Sequence, residues 1–168
     1  RMRGALGHVN VLASLIFSGM TGSAIADAAG LGKIEIQAMR QKGFDDEFSC
    51  AITAASATIG PIFPPSIPLV IYAMLSSTSV GALFMGGMIP AVMLTIFLMV
   101  YVAVVAKKRN YPRGDKIVLH EFIAFTLKAL PSLLTPVILL VGIYTGVMTP
   151  TEAGAVAGLY ALLISVIA

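Results

Sequence analysis

Between Phe48 and Ala106 the chain contains no Asp, Glu, Lys, Arg or His, an unbroken run of 59 residues. A helix needs about 20 predominantly apolar residues to cross the hydrocarbon core of a bilayer, so this run is long enough for two crossings. A soluble domain carries roughly 25% charged residues, whereas this chain of 168 residues carries 11%. Lipid offers no partner for backbone amides and carbonyls, so the spans are expected to be helical and the fold class to be an all-α polytopic membrane protein. The chain opens at Arg1 and stops at Ala168 inside an apolar stretch, and both ends read as cuts through a longer polypeptide. Cys50 is the only cysteine; it excludes an internal disulfide and is expected to be a small buried apolar residue. The net charge of +3 does not point to nucleic acid, because the basic residues form no stripe interleaved with aromatics.

Three segments read as full spans: Met85 to Ala106, Ala129 to Met148 and Ala153 to Ala168. Two others depart from that pattern. Val9 to Phe17 is apolar for nine residues before Ser18-Gly19-Met20-Thr21-Gly22-Ser23 interrupts it. At about 1.5 Å per residue such a helix crosses only half the core. A second short stretch, Ala24 to Gly32, follows, and the two predict a re-entrant hairpin over Val9 to Gly32. Phe48 to Leu75 is long enough to cross, yet holds Pro61, Pro64, Pro65 and Pro68. Each proline removes a backbone donor and crowds the preceding turn, so the span is expected to unwind over Gly60 to Pro68. The implied organisation is a 1–78 part bearing hairpin and broken span, a 79–128 span with its connection, and two further segments over 129–168. Ile117 to Lys128 is a candidate amphipathic helix lying in the interface.

Charge sets the orientation. With the N-terminus inside and the hairpin returning to that face, all eleven Lys and Arg fall on the cytoplasmic side or its boundary: Arg1, Arg3, Lys33, Arg40, Lys42, Lys107, Lys108, Arg109, Arg113, Lys116 and Lys128. A full span in place of the hairpin would reverse this bias.

Non-helical backbone at membrane depth survives only inside protein or beside a polar cavity. Broken helices are where secondary transporters bind ions, through carbonyls freed at C-terminal helix ends. Ser18, Gly19, Thr21, Gly22 and Ser23 at the first break, with Thr58 and Gly60 at the second, are therefore candidate sodium ligands. Pro64, Pro65 and Ser66 are expected to shape the second break and organise the site. Asp27, the acid within the hairpin, is expected to organise the site. The competing structural readings are a glycine-rich packing face beside a proline-kinked span, and for Asp27 a carboxylate favoured by a helix N-terminus. Glu152 completes a capping box with Thr149, with Pro150 at the first helical position.

Catalytic readings fail. Gly30-Leu31-Gly32-Lys33 lacks the first glycine and the Ser or Thr of a phosphate loop, His8 and His120 lack metal-ligand spacing, and no base accompanies a serine nucleophile. No cofactor and no enzymatic activity are expected; sodium is the expected coupling ion.

The strings FSGMTGSAIADAAGLG, TAASATIGPIFPPSIPLVIYA, GALFMGGMIPAVML and GVMTPTEAGAVAGLYAL closely resemble the large membrane subunit of tripartite ATP-independent periplasmic (TRAP) transporters, across essentially the whole chain. The resemblance implies an elevator-type sodium symporter of two inverted repeats in the bacterial inner membrane, with most of the first repeat present. It implies as partners a small membrane subunit, a periplasmic binding protein and an organic acid substrate such as a C4-dicarboxylate or sialic acid. It implies that Ser18 to Ser23 and Thr58 to Ser66 supply one sodium site and one side of the substrate site. Another ion-coupled carboxylate transporter without a binding protein, or a structural membrane subunit, are the alternatives.

Overall fold

The computed structural model describes residues 2–114 and 119–167. Among them the backbone forms eight helices and no strand. The chain divides into two compact units, Arg1–Asp115 and Lys116–Ala168.

The first unit contains α1 (Ala5–Thr21), α2 (Ala24–Ala29), α3 (Leu31–Gln41), α4 (Asp46–Ala57), α5 (Ile67–Ser76) and α6 (Val80–Lys108). Helix α1 is longer than the sequence reading allows. It runs through Ser18, Gly19 and Met20 and stops at Gly22, whose left-handed φ of 58° lets its N–H reach the Ser18 carbonyl. The expected break at Ser18 does not form, because small polar residues fit a helix when their hydroxyls bond back one turn. Ser18 Oγ donates to the Ser14 carbonyl at 2.5 Å and Thr21 Oγ1 to the Phe17 carbonyl at 3.4 Å. Ser23 then caps α2 by accepting from the Ala26 N–H. The second leg is also not one helix to Gly32: it breaks at Gly30 and continues as α3 to Gln41.

The two legs run antiparallel. Asn10, twelve residues before Gly22, donates to Glu35, twelve residues after Ser23, at 2.7 Å. Along one straight helix, residues 25 apart would be separated by about 37 Å. The expected helical hairpin is therefore formed. The chain start pairs with the end of α6, where Gly4 N–H donates to the Pro112 carbonyl and Arg3 reaches Asn110 at 2.6 Å.

The second break also sits slightly upstream of its expected place. Helix α4 ends at Ala57 and irregular turns occupy Thr58 to Pro65, with a cis peptide between Pro64 and Pro65. Ser66 caps α5, so helix resumes at Ile67 and Pro68 lies inside it. A proline in the first turn lacks an N–H that has no intrahelical partner there anyway, so Pro68 does not prolong the break.

Val11, Met39, Phe48, Ile52 and Val102 pack the centre of this unit. Gly7 permits the close approach of α1 to α6: a Cβ there would lie 2.8 Å from Val102 Cγ1. Cys50 is exposed on α4, contrary to its expected burial. In a helix that does not face the core all round, an apolar residue costs nothing on the outer side when that side meets lipid.

The second unit pairs α7 (Leu119–Tyr144) with α8 (Pro150–Ile167), and Tyr160 donates to the Pro131 carbonyl at 3.1 Å. The expected interfacial helix is instead the start of α7 over Leu119 to Lys128, since no Gly or Pro separates it from the span; Ile117 and Val118 lie outside the described residues. Arg1 and Lys116 of the charge count, and Ala168 of the last expected span, also lie outside them. The capping box forms as expected: Thr149 N–H donates to Glu152 at 2.8 Å and Glu152 N–H to the Thr149 hydroxyl at 3.3 Å. Val80–Lys108 and Ile123–Tyr144 are both long and apolar enough to cross a membrane.

Candidate functional site

The hairpin tip is seated on the broken span. A Cβ added at Gly22 would lie 2.7 Å from the Pro65 carbonyl oxygen, 2.9 Å from the Ile67 nitrogen and 3.0 Å from Ser66 Cα. A Cβ at Gly60 would lie 3.2 Å from the Ser23 carbonyl carbon and 3.3 Å from the Ala24 nitrogen. Gly22 and Ser23 thus occupy the notch between the end of α4 and the start of α5. Two breaks separated by some forty residues of sequence meet backbone to backbone, and two glycines make that approach possible.

At this junction two helices end. The last carbonyls of α1 and α4 have no following turn to bond them, apart from those taken up locally. Ser18 O accepts from Gly22, and Ala55, Ser56 and Ala57 accept from Thr58, Ile59 and Gly60. The Ile59 carbonyl accepts from the Ile62 and Phe63 N–H groups, so the backbone oxygens that end the two helices here are those of Gly19 to Thr21, Thr58 and Gly60, and the C-terminal ends of both helix dipoles add negative potential.

The expected site residues divide into groups. Gly22, Ser23, Gly60, Pro65 and Ser66 form the junction itself. Thr21 borders it, and its hydroxyl also meets the Ser23 N–H at 3.5 Å. Thr58 is exposed, with its hydroxyl donating to the Ala55 carbonyl at 2.6 Å. Ser66 is buried and bridges the break, donating to the Pro61 carbonyl at 2.5 Å while accepting from Leu69 N–H. Pro64 is buried. Ser18 and Gly19 lie within α1, and the Ser18 hydroxyl faces back along the helix rather than toward the tip.

Sequence reasoning did not find the polar seam below the tip. Asn10, Ser14 and Ser18 recur every four residues on one face of α1, and all are buried. Thr53 and Ser56 of α4 meet them: Asn10 Nδ2 donates to Thr53 Oγ1 at 2.8 Å, Ser14 to Ser56 at 3.0 Å, and Ser56 to Asn10 Oδ1 at 2.9 Å. The signal was present as a spacing of four among small polar residues in an otherwise apolar helix. Asp27, 1% exposed, lies at the edge of this seam. Ser14 approaches it, yet neither carboxylate oxygen has a hydrogen bond of full geometry.

At the opposite end of the unit a water-facing cluster joins the α3–α4 turn to the end of α6. Asp45 accepts from Tyr111 at 2.6 Å and from Arg109 at 2.5 Å. The Tyr111 hydroxyl, with Arg109 beside it, holds the Asp45 carboxyl below the usual carboxylate range. No group of three or more His, Cys, Asp or Glu suited to a metal occurs among the described residues.

Comparison with known proteins agrees with this arrangement. The family described as tripartite ATP-independent periplasmic transporter, DctM component, matches over residues 1–168. The sialic acid TRAP transporter large permease protein SiaM of Vibrio cholerae is 52% identical over 164 residues, 98% of this chain and 38% of that protein. The sialic acid TRAP transporter permease protein SiaT of Haemophilus influenzae is 46% identical over 161 residues, 96% of this chain and 26% of that protein. The C4-dicarboxylate TRAP transporter large permease protein DctM of Pseudomonas aeruginosa is 40% identical over 164 residues, 98% of this chain and 38% of that protein. The chain thus spans well under half the length of these relatives. A match across the full chain settles the family: the chain belongs to the DctM component of the tripartite ATP-independent periplasmic transporters.

Proposed function

We propose that this chain supplies one half of the ion and substrate machinery of a sodium-coupled transporter, which carries an organic acid across the bacterial inner membrane. The family is a transporter permease and not an enzyme. The observation that carries the proposal is the seating of Gly22 and Ser23 against Gly60 and Pro65, which gathers the carbonyl ends of α1 and α4 at one place. Sodium is a hard cation that wants several oxygens and no particular geometry. The junction offers backbone oxygens from two elements and the Ser23 hydroxyl, with the exposed Thr58 hydroxyl at the end of α4 beside it.

An ion held there is bonded to both hairpin and broken span, so its binding favours the arrangement in which they are together. A ligand shifts a conformational equilibrium only by its difference in affinity between states. Sodium that binds the closed junction and not an opened one has that difference built in, and this is how occupancy becomes coupling. The carboxylate is expected against the Pro64–Ser66 side of the junction, with the remaining contacts from residues beyond this chain. Sialic acid is the first substrate to test, because the relatives at 52% and 46% identity carry that name; C4-dicarboxylates come next. A small membrane subunit and a periplasmic binding protein complete the assembly.

The test is uptake of labelled sialic acid and C4-dicarboxylates by the full complex in proteoliposomes, with and without an inward sodium gradient and the binding protein. Uptake that needs both supports the reading. Uptake indifferent to sodium refutes the coupling, and uptake independent of the binding protein assigns the chain to a different transport mode.

A further inference from the structure

Helix α6 runs for 29 residues and carries Lys107 and Lys108 in its last turn. At about 1.5 Å per residue it is roughly 43 Å long, which exceeds the ~30 Å hydrocarbon core and matches a bilayer with its headgroup layers included. The residues just past its C-terminus therefore lie at the level of phospholipid headgroups. From Lys107 to Gly114 the sequence holds Lys107, Lys108, Arg109 and Arg113 and no acid.

The fold brings a further cation to this place and sets it against one already there. Arg3 and Arg113 form an antiparallel bridge. Its backbone bonds run from the Gly4 N–H to the Pro112 carbonyl at 3.1 Å and from the Gly114 N–H to the Met2 carbonyl at 3.2 Å. Bonds made by the flanking residues, and not by the pair, define a non-hydrogen-bonded pair, whose opposed side chains share a face and stand closest. Like charges directly opposite are destabilising. Both side chains are exposed, and among the described residues neither meets a carboxylate. Arg3 donates to Asn110 Oδ1, a neutral acceptor, at 2.6 Å. The neighbouring acids are committed, Asp45 to Arg109 and Tyr111 and Asp46 to Arg40. The two segments are also pressed together: a Cβ at Gly114 would lie 2.6 Å from Ala5 Cβ.

We propose that Arg3 and Arg113 form a binding site for the phosphate of an anionic phospholipid headgroup, with Lys107 and Lys108 adding positive charge around it. A guanidinium presents a planar fork of donors that suits phosphate oxygens, and two forks on one face can share one phosphate. The phosphate turns a repelling pair into a bridged one, so lipid binding and the pairing of residues 2–4 with 112–114 support each other. The source is lipid because the pair sits at headgroup depth on the membrane face that gathers the basic residues, where anionic headgroups attract juxtamembrane cations.

The experiment places the full-length transporter in nanodiscs of phosphatidylcholine alone or mixed with phosphatidylglycerol. Lipid retained after extraction is counted by native mass spectrometry, and amide exchange is followed at Gly4 and Gly114 relative to Gly43. Phosphatidylglycerol should be retained in preference to phosphatidylcholine and should slow exchange at both glycines. Arg3→Gln and Arg113→Gln should each weaken that retention about fivefold, the worth of one basic residue at a charged membrane surface. The Lys107→Gln, Lys108→Gln double variant should lose less than either. In phosphatidylcholine alone, Arg113→Gln should exchange more slowly at Gly4 and Gly114 than the unsubstituted protein, because the repulsion is gone; an arginine serving only to hold the fold would give the opposite sign. Arg113→Lys, which keeps the charge and loses the fork, should still retain less lipid than the unsubstituted protein, and it carries the test if the glutamine variant does not assemble. Unchanged retention in both arginine variants overturns the site. So does an equal loss in the lysine double variant, which would mean diffuse surface charge. Inorganic phosphate that slows exchange in phosphatidylcholine nanodiscs as well as phosphatidylglycerol does would overturn the lipid as its ligand.

Discussion

Gly22→Ala tests whether the hairpin tip is wedged into the broken span or only lies near it. Two terms oppose alanine there. The left-handed φ of 58° disfavours any Cβ by roughly 1–2 kcal/mol. The new methyl group also meets three backbone atoms at 2.7–3.0 Å, none of which can swing aside as a side chain could, and overpacking of this kind costs roughly 1–3 kcal/mol. Gly43→Ala is the control. Its φ of 82° imposes the same conformational penalty, but nothing lies within 4 Å of its Cβ position. The difference between the two variants isolates the tip contact at about 1–3 kcal/mol. Gly60→Ala adds a third point, since its φ is not in the left-handed range and its nearest neighbour would be at 3.2 Å, so a smaller loss than at Gly22 is expected. The assay pairs unfolding of the full-length transporter with amide exchange over residues 22–24 and 58–67 and with sodium-driven uptake. Gly22→Ala should expose both segments to exchange and depress uptake, whereas Gly43→Ala should do neither. Equal stability losses and equal exchange in Gly22→Ala and Gly43→Ala would show that the tip is not held by the broken span, and the junction argument would fall.

Cysteines introduced at Arg3 and Gln37 should be labelled from the same side of the membrane, as the antiparallel legs require; labelling from opposite sides would refute the hairpin. Ser23→Ala and Thr58→Ala should raise the sodium concentration for half-maximal uptake severalfold, with expression unchanged, and a wild-type sodium dependence in both would move the ion away from the junction. The Asp45 carboxyl has a folded pKa below its unfolded value, so the clasp with Tyr111 and Arg109 contributes above the unfolded carboxylate pKa and is lost as pH falls through the folded one. Amide protection at residues 44–48, taken relative to the intrinsic exchange rate at each pH, should accordingly fall on acidification, and Asp45→Asn should remove that pH dependence; an unchanged profile in the variant would contradict the assignment.

Much of this architecture is local and so was legible. The charge-free run over Phe48 to Ala106 requires apolar helices because lipid cannot hydrate charge. Pro61, Pro64 and Pro65 exclude a continuous helix by steric conflict and missing donors, whatever surrounds them. The Thr149–Glu152 cap depends on residues three apart, and it formed as read. The chain reversal followed from helix length and charge asymmetry, both properties of the one-dimensional chain. Element ends were less legible. Ser18 and Gly19 looked like a break, yet a helix tolerates one glycine at about 1 kcal/mol and accommodates serine through its bond to the carbonyl four residues back.

What the sequence by itself determined is where backbone hydrogen bonding must fail, because proline geometry, glycine φ and the absence of charge act within a turn or two. What only the tertiary structure decided is which failures meet and which polar groups lack a partner. Gly22 reaching Pro65, Asn10 reaching Glu35 across the hairpin, and Asp27 buried beside Ser14 all depend on how α1 to α5 pack in space. The physical reason is range: a residue's conformational preference is set by its neighbours along the chain, whereas the satisfaction of a buried hydrogen bond or charge depends on atoms brought close only when the helices are in contact.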